Sequence, residues 1–354
     1  MYFASRKGIT LVGLFFGVVA AILQRVGNPP NMGICIACFE RDIAGALGLH
    51  RAGAVQYIRP EIIGFVLGSL AAALIFKEFK ARTGSAPIVR FILGFFAMTG
   101  ALVFLGCPWR ALLRLAGGDG NAILGLLGLI AGVWIGVLFI KSGYNLGRNR
   151  KTNTAVGWVM PAMMVGLLLL LLFRPQLPTV AVFFSATGPG ALHAPILVSL
   201  LAAVAIGFLA QRTRFCTMGA IRDVILIRDI HLLCGVFGLL VGAAVTNILF
   251  NQFHPGFQGQ PIAHTEHLWN FGGMVLAGLA FALAGGCPGR QLFLSGEGDG
   301  DAAVFVIGMI AGAAFAHNFA AASTPAGTGE WGPASVIMGL VVCLGIGFTM
   351  RQKA

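Results

Sequence analysis

A cysteine between glycine and proline occurs twice in the chain, each time with an arginine three residues later. The stretch Gly-Cys-Pro-x-Arg begins at Gly106 and again at Gly286, and each copy is followed by Gly-Asp-Gly, at 118–120 and 298–300. The offset is 180 residues for both the cysteine and the aspartate. Two motifs that agree at one fixed offset indicate an internal duplication of the chain.

The residues around Cys107 and Cys287 suit the start of a helix. Proline favours the first helical position, because the N–H group that it lacks would have no partner there. Each thiol then lies at the positive end of a helix dipole, with Arg110 or Arg290 one turn into the helix. This setting favours a thiolate, or a thiol beside a bound anion. The structural alternative is an inert buried cysteine at a tight helix start.

A second repeated motif, Cys-x5-Arg-Asp, occupies residues 35–42 and 216–223, at an offset of 181. Its cysteines and arginines are Cys35, Arg41, Cys216 and Arg222. The adjacent arginine and aspartate suit a local ion pair that holds a short helix, since charges inside a membrane usually need a partner. Four cysteines in two mirrored motifs nevertheless indicate a role beyond packing.

Cys38 follows Cys35 as Cys-x-x-Cys, a spacing that is found in redox and metal-binding pairs. The aligned position in the second half is Gly219, so this pair is not part of the repeated design. We treat Cys38 as a candidate redox partner and predict neither a metal site nor a cofactor. The histidines at 264 and 267 form His-x-x-His, which alone is a weak metal signal.

The aspartates of the Gly-Asp-Gly stretches, Asp119 and Asp299, have three possible roles. Each suits the N-cap of the apolar span that follows it. Each could instead pair with the arginine of its own motif, Arg110 or Arg290, or relay protons. We favour capping or pairing. A nucleotide-binding loop is excluded because no strand precedes the glycines.

The composition is that of a helical membrane protein. Of the 354 residues, 57% are hydrophobic and 10% are charged, whereas soluble domains carry roughly 25% charged residues. The net charge of +12 fits positively charged cytoplasmic loops and an anionic substrate. Nucleic acid is a poor candidate, because no basic stretch lies on a soluble domain. Seven cysteines, mostly in or beside apolar runs, suggest free thiols.

Ten apolar runs are long enough to cross a bilayer. They lie near 8–24, 60–76, 91–106, 122–140, 156–173, 196–210, 235–250, 271–286, 303–320 and 334–350. Segments of intermediate polarity between them predict short helices that dip back into the membrane, which is tolerated where they line a cavity. These re-entrant segments are 33–49, 107–117, 215–230 and 287–296.

Loop charges predict the orientation. Residues 77–90 and 141–151 carry four Lys or Arg each and are expected in the cytoplasm, with both termini, where Arg6, Lys7, Arg351 and Lys353 lie. Five spans per half place the halves in opposite orientations, as in many transporters. We predict an all-α polytopic membrane protein of two inverted repeats of about five helices, 8–175 and 196–352, joined by an external linker, 176–195. The half-helices are expected to meet near the midplane.

At these motifs the chain resembles the YeeE/YedE family of sulfur-compound transporters. The resemblance rests on the paired Gly-Cys-Pro-x-Arg motifs and the cysteine-containing re-entrant segments, and it covers about residues 8–350. It implies an hourglass-shaped monomer of inverted repeats that takes up thiosulfate, whose cysteines hand the anion inward through S–H hydrogen bonds. By match of motif, it assigns the path to Cys35, Cys107 and Cys287. Internal symmetry adds Cys216.

Part of the first half resembles the family branch that is associated with selenium metabolism. The residues concerned are 31–42, His50-Arg51 and 56–61. This resemblance implies a selenium oxyanion, or a selenium analogue of thiosulfate, as substrate. The additional Cys38 departs from the plain motif of the second half.

We therefore predict a transporter that imports a small sulfur- or selenium-containing anion across a bacterial inner membrane. The anion passes Cys35 and meets Cys107 and Cys287 near the midplane. Thiols are weak donors that suit soft sulfur or selenium atoms. Docking of a small sulfur-carrier protein on the cytoplasmic side is compatible with the sequence. A membrane thiol enzyme or relay, which handles the substrate covalently at Cys35 and Cys38, and a passive channel remain alternatives.

Overall fold

The computed structural model describes residues 5–177 and 180–351. Ten long helices account for most of the chain. They are α1 Arg6–Arg25, α3 Pro60–Ile75, α4 Pro87–Phe104, α6 Asn121–Lys141, α7 Thr154–Phe173, α8 Ile196–Thr213, α10 His231–Leu249, α11 His267–Ala284, α13 Gly300–Asn318 and α14 Gly332–Thr349. Their apolar composition confirms the prediction of a helical, multi-pass membrane protein.

Four short helices interrupt this series. They are α2 Ile36–Ala46, α5 Pro108–Ala116, α9 Thr217–Ile227 and α12 Pro288–Gly296. Each begins directly after a motif cysteine, within the segments that the sequence predicts as re-entrant. Two small antiparallel pairs complete the elements, β1 Arg82–Thr83 with β2 Arg150–Lys151 and β3 Gln176–Leu177 with β4 Val180–Ala181. Part of the predicted linker (178 and 179), residue 352 and Lys353 lie outside the described residues.

The lengths of the long helices suit a bilayer. Among the described residues, nine helical segments are long and apolar enough to span a membrane, and α3, with 16 residues, is a shorter apolar helix. At 1.5 Å per residue, 16 residues extend about 24 Å, slightly less than the hydrocarbon thickness of a bilayer. Helix α1 begins two residues before and ends one residue after the predicted span 8–24, and α8 ends three residues after the predicted span 196–210.

The main helix contacts join the two halves of the chain. Helix α1 lies along α10, α3 along α8, α4 along α13, and α6 along α11, while α4 also contacts α11. Glycines line these crossings: a Cβ atom at Gly13 or Gly17 of α1 would overlap the backbone carbonyls of Gly235 and Leu239 in α10. Small residues spaced by four allow helix backbones to approach closely, which strengthens van der Waals packing where lipid removes the hydrophobic driving force.

The charged loops gather at one end, which we name the basic end. There Arg82 donates to Asp299, and Asp301 accepts from the backbone N–H groups of Gly84 and Ser85. At the opposite end, the loop after α5 contacts the loop after α10, because the N–H of Gly120 donates to the carbonyl of Gly256. The loop that follows α12 and the loop that follows α5 are thus each tied to a loop of the other half.

We expect Gly17→Ala to destabilise the protein. Its new methyl group would meet the α10 backbone, which cannot move aside without separating the helices, and overpacking of this kind lowers the free energy of unfolding by about 1–3 kcal/mol. Thermal unfolding of the purified protein in detergent measures the effect. Gly345→Ala on α14 is the matched control, since no atom lies within 4 Å of the added Cβ. Equal stability of the two variants would contradict the proposed role of the crossing.

Candidate functional site

Each of the four short helices begins at a cysteine. Cys35, Cys107, Cys216 and Cys287 are the N-cap residues of α2, α5, α9 and α12. The sulfur of Cys35 accepts the N–H of Cys38 at 3.4 Å, and that of Cys216 accepts the N–H of Gly219 at 3.2 Å. A thiol sulfur therefore takes the capping position that Ser or Asp usually occupies. All seven cysteines lie within the described residues and are free thiols.

The four motif cysteines form two contacts, one in each half. The sulfurs of Cys35 and Cys107 are 3.8 Å apart, and those of Cys216 and Cys287 are 3.6 Å apart. We name these the first and second thiol pairs. All four side chains are buried, with at most 5% of Cys216 exposed. The sequence placed Cys107 with Cys287 near the midplane, whereas the sulfur contacts lie within each half.

Aromatic side chains fill the space between the pairs. Trp109, two residues after Cys107, is buried, and a Cβ atom on Gly289 would lie 3.1 Å from Cζ2 of its indole. Ile36 reaches the same point, with its Cδ1 3.4 Å from that Cβ position. The rings that contact Trp109 are Phe16, Phe65, Phe215 and Phe293. The first turns of α2, α5 and α12, and Phe215 just before α9, therefore converge on this cluster, which we name the aromatic barrier.

The first thiol pair has positive charge nearby. Nη1 of Arg110 lies 3.6 Å from the sulfur of Cys38, and Nη2 donates to the carbonyl of Ile262 at 2.9 Å. The same guanidinium donates to the carbonyl of Leu105. Arg110 has no carboxylate partner among the described residues. Its charge therefore remains available to an anion near Cys38.

Further out from the first thiol pair, Asp42 is held between two arginines. Its carboxylate accepts from Arg41 at 2.7 Å and from Arg59 at 2.8 Å. Arg59 also donates to the carbonyls of Pro189 and Leu192, and all three charged side chains are buried. Two cations share one acid here, which leaves a net positive charge on this side of the molecule.

The repeated aspartates pair with other arginines than the sequence suggested. Asp119 accepts from Nε of Arg114 at 2.6 Å, and Asp299 accepts from Nε of Arg82 at 2.7 Å. Pairing with Arg110 or Arg290 within the motif is therefore wrong, and Arg290 contacts Glu297 at 3.3 Å instead. Asp299 is the N-cap of α13, and its Oδ1 accepts the N–H of Ala302, as predicted. The N-cap of α6 is Gly120 rather than Asp119, although Oδ1 of Asp119 accepts the N–H of Asn121.

A cavity of about 400 Å³ at the basic end reaches Cys216. Its charged or titratable lining residues are Arg212, Arg214, Arg222, Asp223, His231 and Arg290. Arg222 pairs with Asp223 at 2.8 Å, and Arg212 pairs with Glu78 at 3.0 Å. A hydrogen bond from Gln211 lowers the pKa of Glu78, so this carboxylate stays ionised at neutral pH. Arg290 pairs with Glu297, and Arg214 has no carboxylate partner among the described residues, so the cavity keeps a net positive charge that suits an anion.

Three residues of this region were missed in the sequence. Trp109 faces Gly289, although the two occupy aligned positions of the repeat. Arg114 lies one helical turn after Arg110 and forms the buried ion pair. Glu40 is an acid in a short helix whose aligned position in the second half is Ile221. Trp109 and Glu40 could have been found because they differ from the residues at the aligned positions of the second half. Arg114 could have been found because it is a charge in an apolar segment.

We expect thiol reagents to reach Cys216 before Cys287. The cavity opens to Cys216, whereas Cys287 is 0% exposed behind it. Variants that retain one cysteine, with the other six changed to Ser, are labelled in detergent with a charged maleimide and followed by mass spectrometry. The variant that retains the buried Cys343 is the slow control. Faster labelling at Cys287 than at Cys216 would contradict this geometry.

Comparison with known proteins adds two findings. A sequence profile of the family described as "Sulphur transport" matches residues 212–347, which include the second thiol pair and the basic cavity. A protein of Methanocaldococcus jannaschii, called uncharacterized protein MJ1590, is 34% identical over 92 residues. That match covers 23% of this chain and 88% of the relative.

Proposed function

Because the chain belongs to the YeeE/YedE sulphur transport family, we propose that it imports a small sulfur- or selenium-containing anion through a central path of paired thiols. The observation that carries the proposal is the convergence of four cysteine-capped helix N-termini on one aromatic barrier. Helix N-termini attract anions, and thiols donate weak hydrogen bonds to soft atoms.

The first step is capture at the first thiol pair. An anion that contains a terminal sulfur or selenium atom lies against the sulfurs of Cys35 and Cys107, at the positive ends of α2 and α5. The unpaired guanidinium of Arg110, near Cys38, offsets its charge. Weak donors suit a transporter, since a site must bind the anion and also release it.

Passage then requires the aromatic barrier to open. Trp109 separates the pairs and is held by four phenylalanine rings and Gly289. An indole rotation would bring the first pair into continuity with Cys216 and Cys287. From there the anion leaves through the basic cavity, where several weak positive sites replace one tight one.

We further propose that the two halves are inverted repeats, with the basic end and both termini in the cytoplasm of a bacterium. The helix contacts support a two-fold relation, because α1 on α10 has its counterpart in α8 on α3, and α6 on α11 in α13 on α4. The last helices differ: α7 lies against α3, and α14 lies against α4 and α11. Lysine and arginine in the loops at the basic end support the orientation.

Two kinds of substrate are compatible with this path. Thiosulfate and its selenium analogue present a terminal soft atom to the thiols, whereas a selenium oxyanion presents oxygen atoms and would be held mainly by the positive charge. Residues 31–42 and 56–61 favour the selenium branch by resemblance, and Cys38 beside Arg110 supplies a third thiol at the entry site. A small sulfur-carrier protein could receive the product at the basic cavity. Uptake of labelled thiosulfate and selenite by cells that lack their own carriers separates the two substrates.

A membrane thiol enzyme is the second candidate, favoured by the 3.8 Å between Cys35 and Cys107. A thiolate would attack the terminal sulfur of thiosulfate, the S–S bond would break, and sulfite would leave with its electron pair. The product is a cysteine persulfide. Mass spectrometry of the purified protein after incubation with thiosulfate tests this reading, because transport alone leaves no adduct.

We expect Cys107→Ala and Cys287→Ala each to reduce thiosulfate or selenite uptake to background. Each change removes one sulfur from a thiol pair and leaves the other without its partner. Uptake of radiolabelled anion into proteoliposomes gives the measurement. Cys343→Ala is the matched control, because this buried cysteine lies on α14, in neither pair. Wild-type uptake in both motif variants would rule out the proposed path.

We expect Trp109→Ala to widen the path and reduce its selectivity. Loss of the indole removes the centre of the aromatic barrier, so larger anions such as gluconate should enter proteoliposomes and cause swelling. Trp134→Ala is the control, because that side chain is 51% exposed on α6. If Trp109→Ala admits no larger anion and its thiosulfate uptake is unchanged, the barrier does not lie on the path.

A further inference from the structure

Glu40 is a buried carboxyl group without a partner. Its side chain is 0% exposed, and neither oxygen has a hydrogen-bond partner within residues 5–177 and 180–351. It lies on α2, the short helix that begins after Cys35. An ionised carboxylate in this setting is strongly unfavourable unless it is paired. The neutral, protonated form is the one that the surroundings accept.

Other buried acids of the protein are paired, which makes Glu40 different in kind. Asp42 lies between two arginines, and Asp119 accepts from Arg114. One oxygen of Glu61 accepts from Asn28 at 2.7 Å. Because the position aligned with Glu40 in the second half is Ile221, the repeated scaffold does not need an acid there. A role that belongs to the first half alone is therefore indicated.

Glu40 lies on the side of α2 that faces the path. Residues four apart share a helix face, and Ile36, one turn before Glu40, reaches the aromatic barrier at Gly289. Glu40 also lies on the helix that begins at Cys35, whose sulfur contacts that of Cys107, so a charge at the first thiol pair acts on this carboxyl group through buried surroundings. A bound anion and an ionised Glu40 would repel each other across a short distance of low dielectric constant.

The titratable groups around Glu40 have other partners or face other groups. On α2 itself they are Cys38, Arg41 and Asp42, and on the packed helices α3, α4, α12 and α13 they are Glu61, Arg90, Arg290, Asp301 and His317. Arg90 donates to the carbonyl of Ala284, and Asp301 accepts from Thr83. The ring of His317 lies 4.5 Å from that of His50.

We propose that Glu40 is a proton-binding site that couples anion import to proton entry. This inference rests on the proposed function and adds its driving force. Negative charge at the first thiol pair favours the protonated carboxyl group, and by linkage a proton on Glu40 favours anion binding by the same factor. The proton and the anion then cross the aromatic barrier together. Release of the anion into the basic cavity removes the negative charge and lets the proton leave on the same side.

Proteoliposomes with the membrane potential clamped at zero test the coupling. The probes are radiolabelled thiosulfate and selenate, which remain ionised at neutral pH and cannot carry the proton themselves. With one proton per anion, a difference of one pH unit, acidic outside, should concentrate the anion about tenfold inside wild-type vesicles. In Glu40→Gln, which stays neutral at every pH, anion exchange across the membrane should persist while accumulation driven by the pH difference is lost.

Glu330→Gln is the control, because Glu330 is an exposed carboxyl group just before α14, outside both thiol pairs and the basic cavity, and its variant should accumulate anion as the wild type does. Infrared spectroscopy gives a readout that does not require transport: the C=O band of a protonated carboxylic acid should disappear in Glu40→Gln. If the wild-type protein accumulates the same amount of anion with and without the pH difference, the inference is overturned while the proposed function stands. Undiminished pH-driven accumulation in Glu40→Gln does the same. Absence of wild-type uptake of both probes, with or without a pH difference, overturns the proposed function itself.

Discussion

A helix that ends inside a bilayer leaves backbone groups that must find partners within the protein, and the rest of this structure depends on how that requirement is met. At the N-termini of α2 and α9, a cysteine sulfur accepts a backbone N–H. At the C-termini of α4 and α11, Arg114 and Arg90 donate to the last carbonyls, of Phe104 and Ala284. Two of the four cysteines on the proposed path, Cys35 and Cys216, thus also satisfy backbone groups where a helix begins inside the protein.

The membrane class, the ten helices and the four short helices could be predicted, because hydropathy and the helix-start pattern Cys-Pro are local signals. The family assignment is likewise confirmed, since it rests on motifs that are contiguous in sequence. The thiol pairs could not be predicted in the same way. Cys35 and Cys107 are 72 residues apart, and only the tertiary fold brings their sulfurs together.

Ion-pair partners were misassigned for a related reason. Spacing placed Asp299 with Arg290, but the loop after α3 brings Arg82 to Asp299, and no local pattern in the sequence reports that approach. Arginine side chains are long, so several cations compete for each acid. Asp119 pairs with Arg114, whereas Arg110 donates to the backbone carbonyls of Leu105 and Ile262.

Departures from the internal repeat concentrate around the first thiol pair. Cys38 aligns with Gly219, Trp109 with Gly289 and Glu40 with Ile221, so each bulky or reactive side chain lies in the first half. The second half keeps the matching cysteines but has smaller or apolar residues at those positions. The two thiol pairs of the proposed path are therefore chemically unequal.

The glycine-lined crossings between halves have a consequence for biosynthesis. Helices α1, α3, α4 and α6 leave the ribosome before α10, α8, α13 and α11 exist to cover them. During that interval their glycine faces meet lipid, which cannot fill the grooves as closely as a second backbone does. The helices of the first half therefore lack their main packing partners until the second half is synthesised. A chain released at that stage would find its missing contacts only on another molecule.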